Sequence, residues 1–247
     1  MSLAWITGAS SGIGAALARR LARDGRDVAV SARNADALAR LAAEGGGRIH
    51  AFALDVTDAE ACAATLDAIE AAHGAIDLAV LNAGTHRPTP LRDFTVEAVR
   101  GLVETNLMGV VNCLAPALAR MHRRRAGHVA VVASVAGYGG LPSASAYGAT
   151  KAALINMTEA LRPECGAAGI KLQLVCPGFV KTPLTDKNAF PMPFLMPVER
   201  AIDRFVAGLA SNRFEITFPA HFAFLLKLVN ALPYGLYFRL LRRETRR

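Results

Sequence analysis

"WITGASSGIG", residues 5–14, runs from a short β-rich apolar segment into a stretch of helical period, with glycines at 8, 12 and 14. Glycine lets the backbone turn tightly and approach a pyrophosphate, and the free N–H groups at a helix start form an anion site. The order is GxxxGxG rather than GxGxxG. A Gly-rich turn alone says little, but one that follows the first strand of a βαβ unit points to a dinucleotide.

The rest of the chain supplies that context. Short apolar runs near residues 3–7, 27–32, 48–53, 77–81, 128–133, 171–175 and 214–218 read as strands. Ala/Leu/Arg segments of helical period separate them, beginning near Gly12, Ala35, Asp58, Thr95, Tyr147 and Val198, with Thr57, Thr95 and Pro197 in start contexts. "LAVLNAG" and "GHVAVVAS" lack polar alternation, as strands covered on both faces do. The expected fold is therefore a single α/β domain over residues 1–218. It is a doubly wound, Rossmann-like sheet of about seven parallel strands, with helices on both faces and the ligand site beyond the strands' carboxyl ends. Residues 219–247 extend that domain as an apolar and basic tail.

Composition narrows the function classes. At 247 residues and 53% hydrophobic the chain buries a sizeable core, and 19% charged residues is too few for a disordered one. The net charge of +8 raises nucleic acid as a partner, but the arginines are dispersed except at Arg123–Arg125 and the C-terminus, and no stacking platform accompanies them. No nucleic-acid role is expected. The four cysteines, Cys62, Cys113, Cys165 and Cys176, show no CxxC or paired Cys/His spacing and read as reduced, buried thiols, and the six histidines show no metal-ligand spacing. No metal site is expected. The N-terminus lacks a basic, signal-length apolar segment, so the cytoplasm is the expected compartment.

Cofactor type is read at the end of the second strand. An NAD site places an acidic side chain there for the ribose hydroxyls, whereas "DVAVSARN" carries Ala32 and Arg33. A guanidinium suits a 2'-phosphate by charge and bidentate geometry, which favours NADP(H) over NAD(H). An exposed loop arginine in an Arg-rich chain has the same appearance.

Four motifs then occur in order: "TGASSGIG" (7–14), "NAG" (82–84), "YGATK" (147–151) and "PGFVKT" (177–182). Together they resemble the short-chain dehydrogenase/reductase family over about residues 3–210. The resemblance implies that Gly8, Ser10, Ser11, Gly12, Ile13 and Gly14 form the phosphate turn, with Arg33 at the NADP-type position. It implies adenine contacts at Asp55 and Val56, cofactor contacts at Asn82, Ala83 and Gly84, and a segment closing over the nicotinamide at Pro177, Gly178, Val180 and Thr182. Asn106, Ser134, Tyr147 and Lys151 match the catalytic tetrad, and Tyr147 and Lys151 also contact the cofactor in the family.

The residue types suit carbonyl chemistry, which needs hydride at carbon, a proton at oxygen and stabilisation of the developing oxyanion. Ser134 can hydrogen-bond the substrate oxygen and Tyr147 can exchange a proton with it. Lys151, four residues on and thus on the same helix face, is expected to lower the phenol's pKa from about 10. Asn106 would steady a water and lysine proton relay, as the family implies.

Substrate and partners are less defined. Residues 183–200 are expected to cap the cleft, with Phe190, Met192, Phe194, Leu195 and Met196 forming an adaptable apolar lid, which suggests a hydrophobic carbonyl or alcohol substrate. The resemblance implies a homodimer or homotetramer. The tail admits three readings: a transmembrane helix, opposed by Lys227, Asn230 and Pro233; an interfacial segment; or packing against the domain or a partner subunit. In the interfacial reading Phe222, Leu225, Leu226, Val229 and Leu232 face lipid, with Arg239, Arg242, Arg243, Arg246 and Arg247 at headgroups and the protein peripheral to the inner face of the membrane. A rival to the enzyme is a membrane-associated or partner-binding protein that holds NADP with little turnover.

Overall fold

Trp5 explains why the first strand sits at the centre of the molecule. In a computed structural model, which describes residues 2–187 and 192–244, its side chain is wholly buried and the indole N–H donates to Ser31 Oγ at 3.0 Å. Trp5 belongs to β1 (Leu3–Thr7), whose alternate residues serve two different cores: Leu3 and Trp5 pack on one face of the sheet, Ala4 and Ile6 on the other. A strand with apolar side chains on both faces is stable only between two helical layers.

The remaining strands are β2 (Asp27–Ala32), β3 (Ile49–Ala53), β4 (Ile76–Leu81), β5 (Gly127–Val132), β6 (Ile170–Pro177) and β7 (Glu215–Phe218). All pair in parallel, in the order β3-β2-β1-β4-β5-β6-β7. The winding reverses between β1 and β4, and this is where a doubly wound sheet opens a crevice at its carboxyl edge.

The helices are α1 (Gly12–Arg23), α2 (Ala35–Glu44), α3 (Ala59–His73), α4 (Val96–Val103), α5 (Gly109–Arg124), α6 (Ser145–Ala167) and α7 (Val198–Ala210). Side-chain caps set several starts: Asn34, Asp58 and Thr95 each accept the N–H three residues ahead. The cap of α3 is Asp58 rather than Thr57, because the Thr57 N–H and hydroxyl are both taken by Asp55 Oδ1. A single π-helical turn, Glu104–Met108, joins α4 to α5, so Val96–Arg124 is one helical stretch. It is long and apolar enough to cross a membrane, yet it packs within the domain against α3 and α6.

The tail folds into two further helices, α8 (Ala220–Asn230) and α9 (Tyr234–Glu244), separated at Pro233. Each has 11 residues and spans about 16 Å, half of a bilayer's hydrocarbon thickness, so the transmembrane reading of the tail falls. The tail packs on the domain: Phe222, Ala223 and Tyr237 are buried, and the Tyr237 hydroxyl donates to the Gly140 carbonyl at 2.5 Å. This corrects the expected lipid face. Phe222 is committed to the core, Leu226, Val229 and Leu232 are half-buried, and the exposed apolar side chains are instead Phe224, Leu225, Leu228, Tyr234, Leu236, Phe238 and Leu240. An all-round apolar segment does not reveal which side meets the domain. The side chains of Arg242 and Arg243, and residues 245–247, lie outside the described structure.

Candidate active site

The glycine turn links β1 to α1, and at two positions no other residue fits. Gly8 has φ +68°, and a Cβ there would lie 2.6 Å from Ala83 Cα; one on Gly14 would lie 2.6 Å from the Gly8 carbonyl oxygen. Asn82 braces the turn by donating from Nδ2 to the Thr7 and Gly8 carbonyls at 3.0 and 3.2 Å. Ser11 begins α1 in extended conformation without a side-chain cap, and no acidic residue lies in the first turn. The first N–H groups of α1 have no intrahelical acceptor, and the helix starts just beyond the carboxyl end of β1, where the sheet's winding reverses. A Cβ on Gly12 would meet the Thr182 side chain at 3.4 Å, so the segment after β6 leans over the same turn.

Arg33 follows β2 and is exposed, with no carboxylate within ion-pair distance among the described residues. It is still close enough to Asp55 to help hold that carboxyl below its usual range, after the larger effect of the Thr57 N–H. Val56 is buried against Gly109 of α5, and its carbonyl accepts from Asn112 Nδ2 at 3.0 Å. Arg33, Asp55 and Val56 thus stand together at the carboxyl ends of β2 and β3.

A second group gathers beyond β5. Ser134 lies two residues past the strand, where its Oγ accepts the Ala136 N–H at 3.1 Å and starts a short turn, Val135–Gly137. Tyr147 and Lys151 are one helical turn apart on α6. The Tyr147 phenol lies close enough to the Ser134 side chain for the serine to favour its ionised form in part. Lys151 is 4% exposed, donates to the Val132 carbonyl at 2.9 Å and holds its Nζ 5.8 Å from the Tyr147 ring centroid.

Asn106 sits on the π turn, a device that re-aims one side chain without breaking the helix. It is fully buried; Oδ1 accepts the Thr85 N–H at 2.7 Å, and Nδ2 donates to the Thr85 carbonyl at 2.9 Å and to Thr150 Oγ1 at 3.3 Å. Gly84 is the point of closest approach: a Cβ there would lie 3.3 Å from Asn106 Oδ1 and 3.6 Å from Lys151 Nζ. Asn106, Ser134, Tyr147 and Lys151 therefore converge on one end of the sheet.

Electrostatics at this end differ from the sequence expectation. Burial, the dominant influence, raises the Tyr147 pKa, and the nearby Ser134 side chain opposes it only in part. The Lys151 ammonium is directed at the Val132 carbonyl. Burial also brings Lys151 down to about 8. At neutral pH the phenol therefore carries its proton, beside an ammonium that titrates near pH 8.

Residues 2–190 match the family model for short chain dehydrogenases. The chain belongs to this family. It is 38% identical over 237 residues to a protein named an uncharacterized oxidoreductase in Myxococcus xanthus, covering 95% of this chain and 94% of that one. It is also similar to a short-chain dehydrogenase of Sphingobium yanoikuyae in complex with NADPH, with TM-score 0.82, 28% identity, and 96% and 95% of the two chains covered. A short-chain dehydrogenase/reductase of Burkholderia phymatum in complex with NAD superposes with TM-score 0.84 at 25% identity, covering 92% of each chain. The protein is accordingly an NAD(P)-dependent oxidoreductase. The residues of this short-chain dehydrogenase fit a nicotinamide dinucleotide: the turn has no room for Cβ atoms at Gly8 and Gly14, and its helix start is open to an anion.

Sequence reasoning missed His86. Its ring meets Tyr147 edge-on, with centroids 4.8 Å apart at 84°, and burial lowers its pKa, so the imidazole is neutral near pH 7. The only available signal was its place two residues after the NAG motif. The segment from Pro177 to Thr182 leaves the carboxyl end of β6, where the Pro177 carbonyl accepts from Ser134 Oγ at 3.4 Å. The Gly178 N–H donates to the Phe218 carbonyl at 2.9 Å, and Val180 forms an isolated bridge with Met196. Phe194, at φ +60°, meets His221 edge-on and also Phe222, while Phe190 lies outside the described residues.

Proposed function

We propose that this enzyme uses NADPH to reduce a hydrophobic ketone or aldehyde to its alcohol. The observation that carries this reading is the convergence of Ser134, Tyr147 and Lys151 beyond β5, on the same sheet edge as the glycine turn and Arg33. NADPH, when bound, supplies a hydride to the carbonyl carbon. Tyr147, held neutral by burial, gives its proton to the carbonyl oxygen, completing the alcohol. Ser134 donates a hydrogen bond to the same oxygen as charge develops there. Lys151 would hold the nicotinamide ribose and pass to Tyr147, by way of a water that Asn106 steadies, the proton that restores the phenol.

Gly8, Ser10, Ser11, Gly12, Ile13 and Gly14 cradle the pyrophosphate, and Asn82, Ala83 and Gly84 flank the cofactor. Asp55 and Val56 border the adenine, and Pro177, Gly178, Val180 and Thr182 close over the nicotinamide. Arg33 selects the 2'-phosphate, which supports NADPH over NADH. Met192, Phe194, Leu195 and Met196 form the substrate lid.

The enzyme works in the cytoplasm as a homodimer or homotetramer. A groove of about 500 Å³ along α4, lined by Phe94, Val96, Val99 and Val103 with Arg100 and Glu104 beside them, supports assembly through that helix. The test is Tyr147→Phe: turnover should fall about 10²- to 10⁴-fold with NADPH affinity kept. Near wild-type turnover would overturn the assignment.

A further inference from the structure

The tail helices hide one face and leave an apolar one open. Phe222, Ala223 and Tyr237 are buried, the Asn230 side chain packs on Gly139, and Lys227 pairs with Glu215. The domain therefore holds α8 and α9 in place. A surface helix ordinarily turns polar side chains to water. Here the outward residues include Phe224, Leu225, Leu228, Leu236, Phe238 and Leu240, with Phe224 64% exposed and Phe238 52%. The face continues into the lid, because the half-exposed Phe194 rests on His221 and Phe222 at the start of α8.

Charge decides what covers this face. From residue 216 to 243 the chain has no Asp or Glu, and its charged residues are Lys227, Arg239, Arg242 and Arg243; Arg246 and Arg247 follow Glu244. Lys227 is neutralised by Glu215, which leaves the arginines. A second copy packed tail to tail would bring those arginines near their own counterparts, with Glu244 alone in α8 and α9 to offset them. Anionic headgroups supply the opposite sign, while acyl chains take the Phe and Leu side chains. Helices of 11 residues are too short to span and suit lying in the interface.

We infer that the outer face of α8 and α9, together with Phe194 and Leu195 of the lid, docks on an anionic lipid bilayer and sets the lid against the membrane surface. The inference rests on the proposed reductase only in giving the docking a purpose, access to carbonyl substrates dissolved in the bilayer.

The test is flotation of the full chain with vesicles of equal parts phosphatidylglycerol and phosphatidylcholine, beside pure phosphatidylcholine vesicles. The bound fraction should fall at least about tenfold without the anionic lipid, and fall again at high salt. The triple variant Phe224→Ser, Leu228→Ser, Phe238→Ser changes only exposed side chains. It should melt cooperatively as the parent does, keep the same NADPH oxidation with a water-soluble carbonyl, and float about tenfold less. Three results would overturn the docking: a parent that stays unbound, a variant that floats equally well, or substitutions that alter only the oligomeric mass, which would assign the face to a second copy. Flotation without any NADPH oxidation would support docking while removing the reductase reading.

Discussion

The carboxyl edge of the sheet and the C-terminal helices are built on opposite terms. At the edge nearly every polar group has a directed partner: Asn106 with Thr85 and Thr150, Lys151 with Val132, Asn82 with Thr7 and Gly8. In the tail, attachment among the described residues comes from a few buried apolar side chains and from polar contacts such as Tyr237 with Gly140 and Lys227 with Glu215. Directed contacts demand particular residues at particular spacings, whereas apolar packing accepts any side chain of suitable size. Substitutions at the edge should therefore disturb chemistry, and those in the tail should disturb stability.

The largest effect that tests this division is Ser134→Ala. Removing a donor to the developing oxyanion should lower kcat about 10²- to 10³-fold, with the melting temperature within a degree or two of the parent; steady-state kinetics and thermal melts check both halves. The tail counterpart is Phe222→Ala. Loss of a buried aromatic that packs on Phe179 and Phe194 should cost about 3 kcal/mol in denaturant unfolding while the enzyme that remains folded keeps most of its kcat. If Phe222→Ala instead cut kcat as deeply as Ser134→Ala, the two regions would be one catalytic unit, because Phe222 also abuts Gly178.

A third expectation concerns pH. Lys151, held at about 8, loses its charge roughly two units below an ordinary lysine, so carbonyl reduction that depends on the ammonium should be level up to about pH 7 and decline through pH 8 to 9. Stability moves the other way: the unfolded chain keeps this proton longer, so the contribution of Lys151 to stability rises between about pH 8 and the ordinary lysine range. A kcat/KM profile level to pH 10 would remove Lys151 from the proton path. The smallest effect is Tyr237→Phe, which should cost about 1 kcal/mol by losing the bond to Gly140 and leave kcat unchanged.

The two regions also differ in how far they can be read from sequence. The strands lie within one or two residues of their expected places, because an apolar run buried on both faces has few other uses. Tyr147 and Lys151 share a helix face, as their spacing of four implies, and Ser134 follows a strand of the same sheet. What escaped was set by tertiary context: the π turn that aims Asn106, the burial that raises the Tyr147 phenol against the expected cation effect, and the ring of His86 against Tyr147. In the tail, an apolar run does not show which face the domain takes, so Phe222, which the interfacial reading turns to lipid, is core as the packed reading has it. Arg33 is legible as a charge at the end of β2, and its preference between cofactors is a matter for measurement.

The most direct test of the account is NADPH oxidation by the full chain across carbonyls of increasing chain length and ring size, with NADH in parallel and the alcohol product quantified. The account predicts one alcohol formed per NADPH consumed, higher kcat/KM for long-chain or bulky carbonyls than for small polar ketones, and NADPH favoured over NADH by about tenfold or more through Arg33. A strong NADH preference, or faster turnover of small polar ketones, would contradict it.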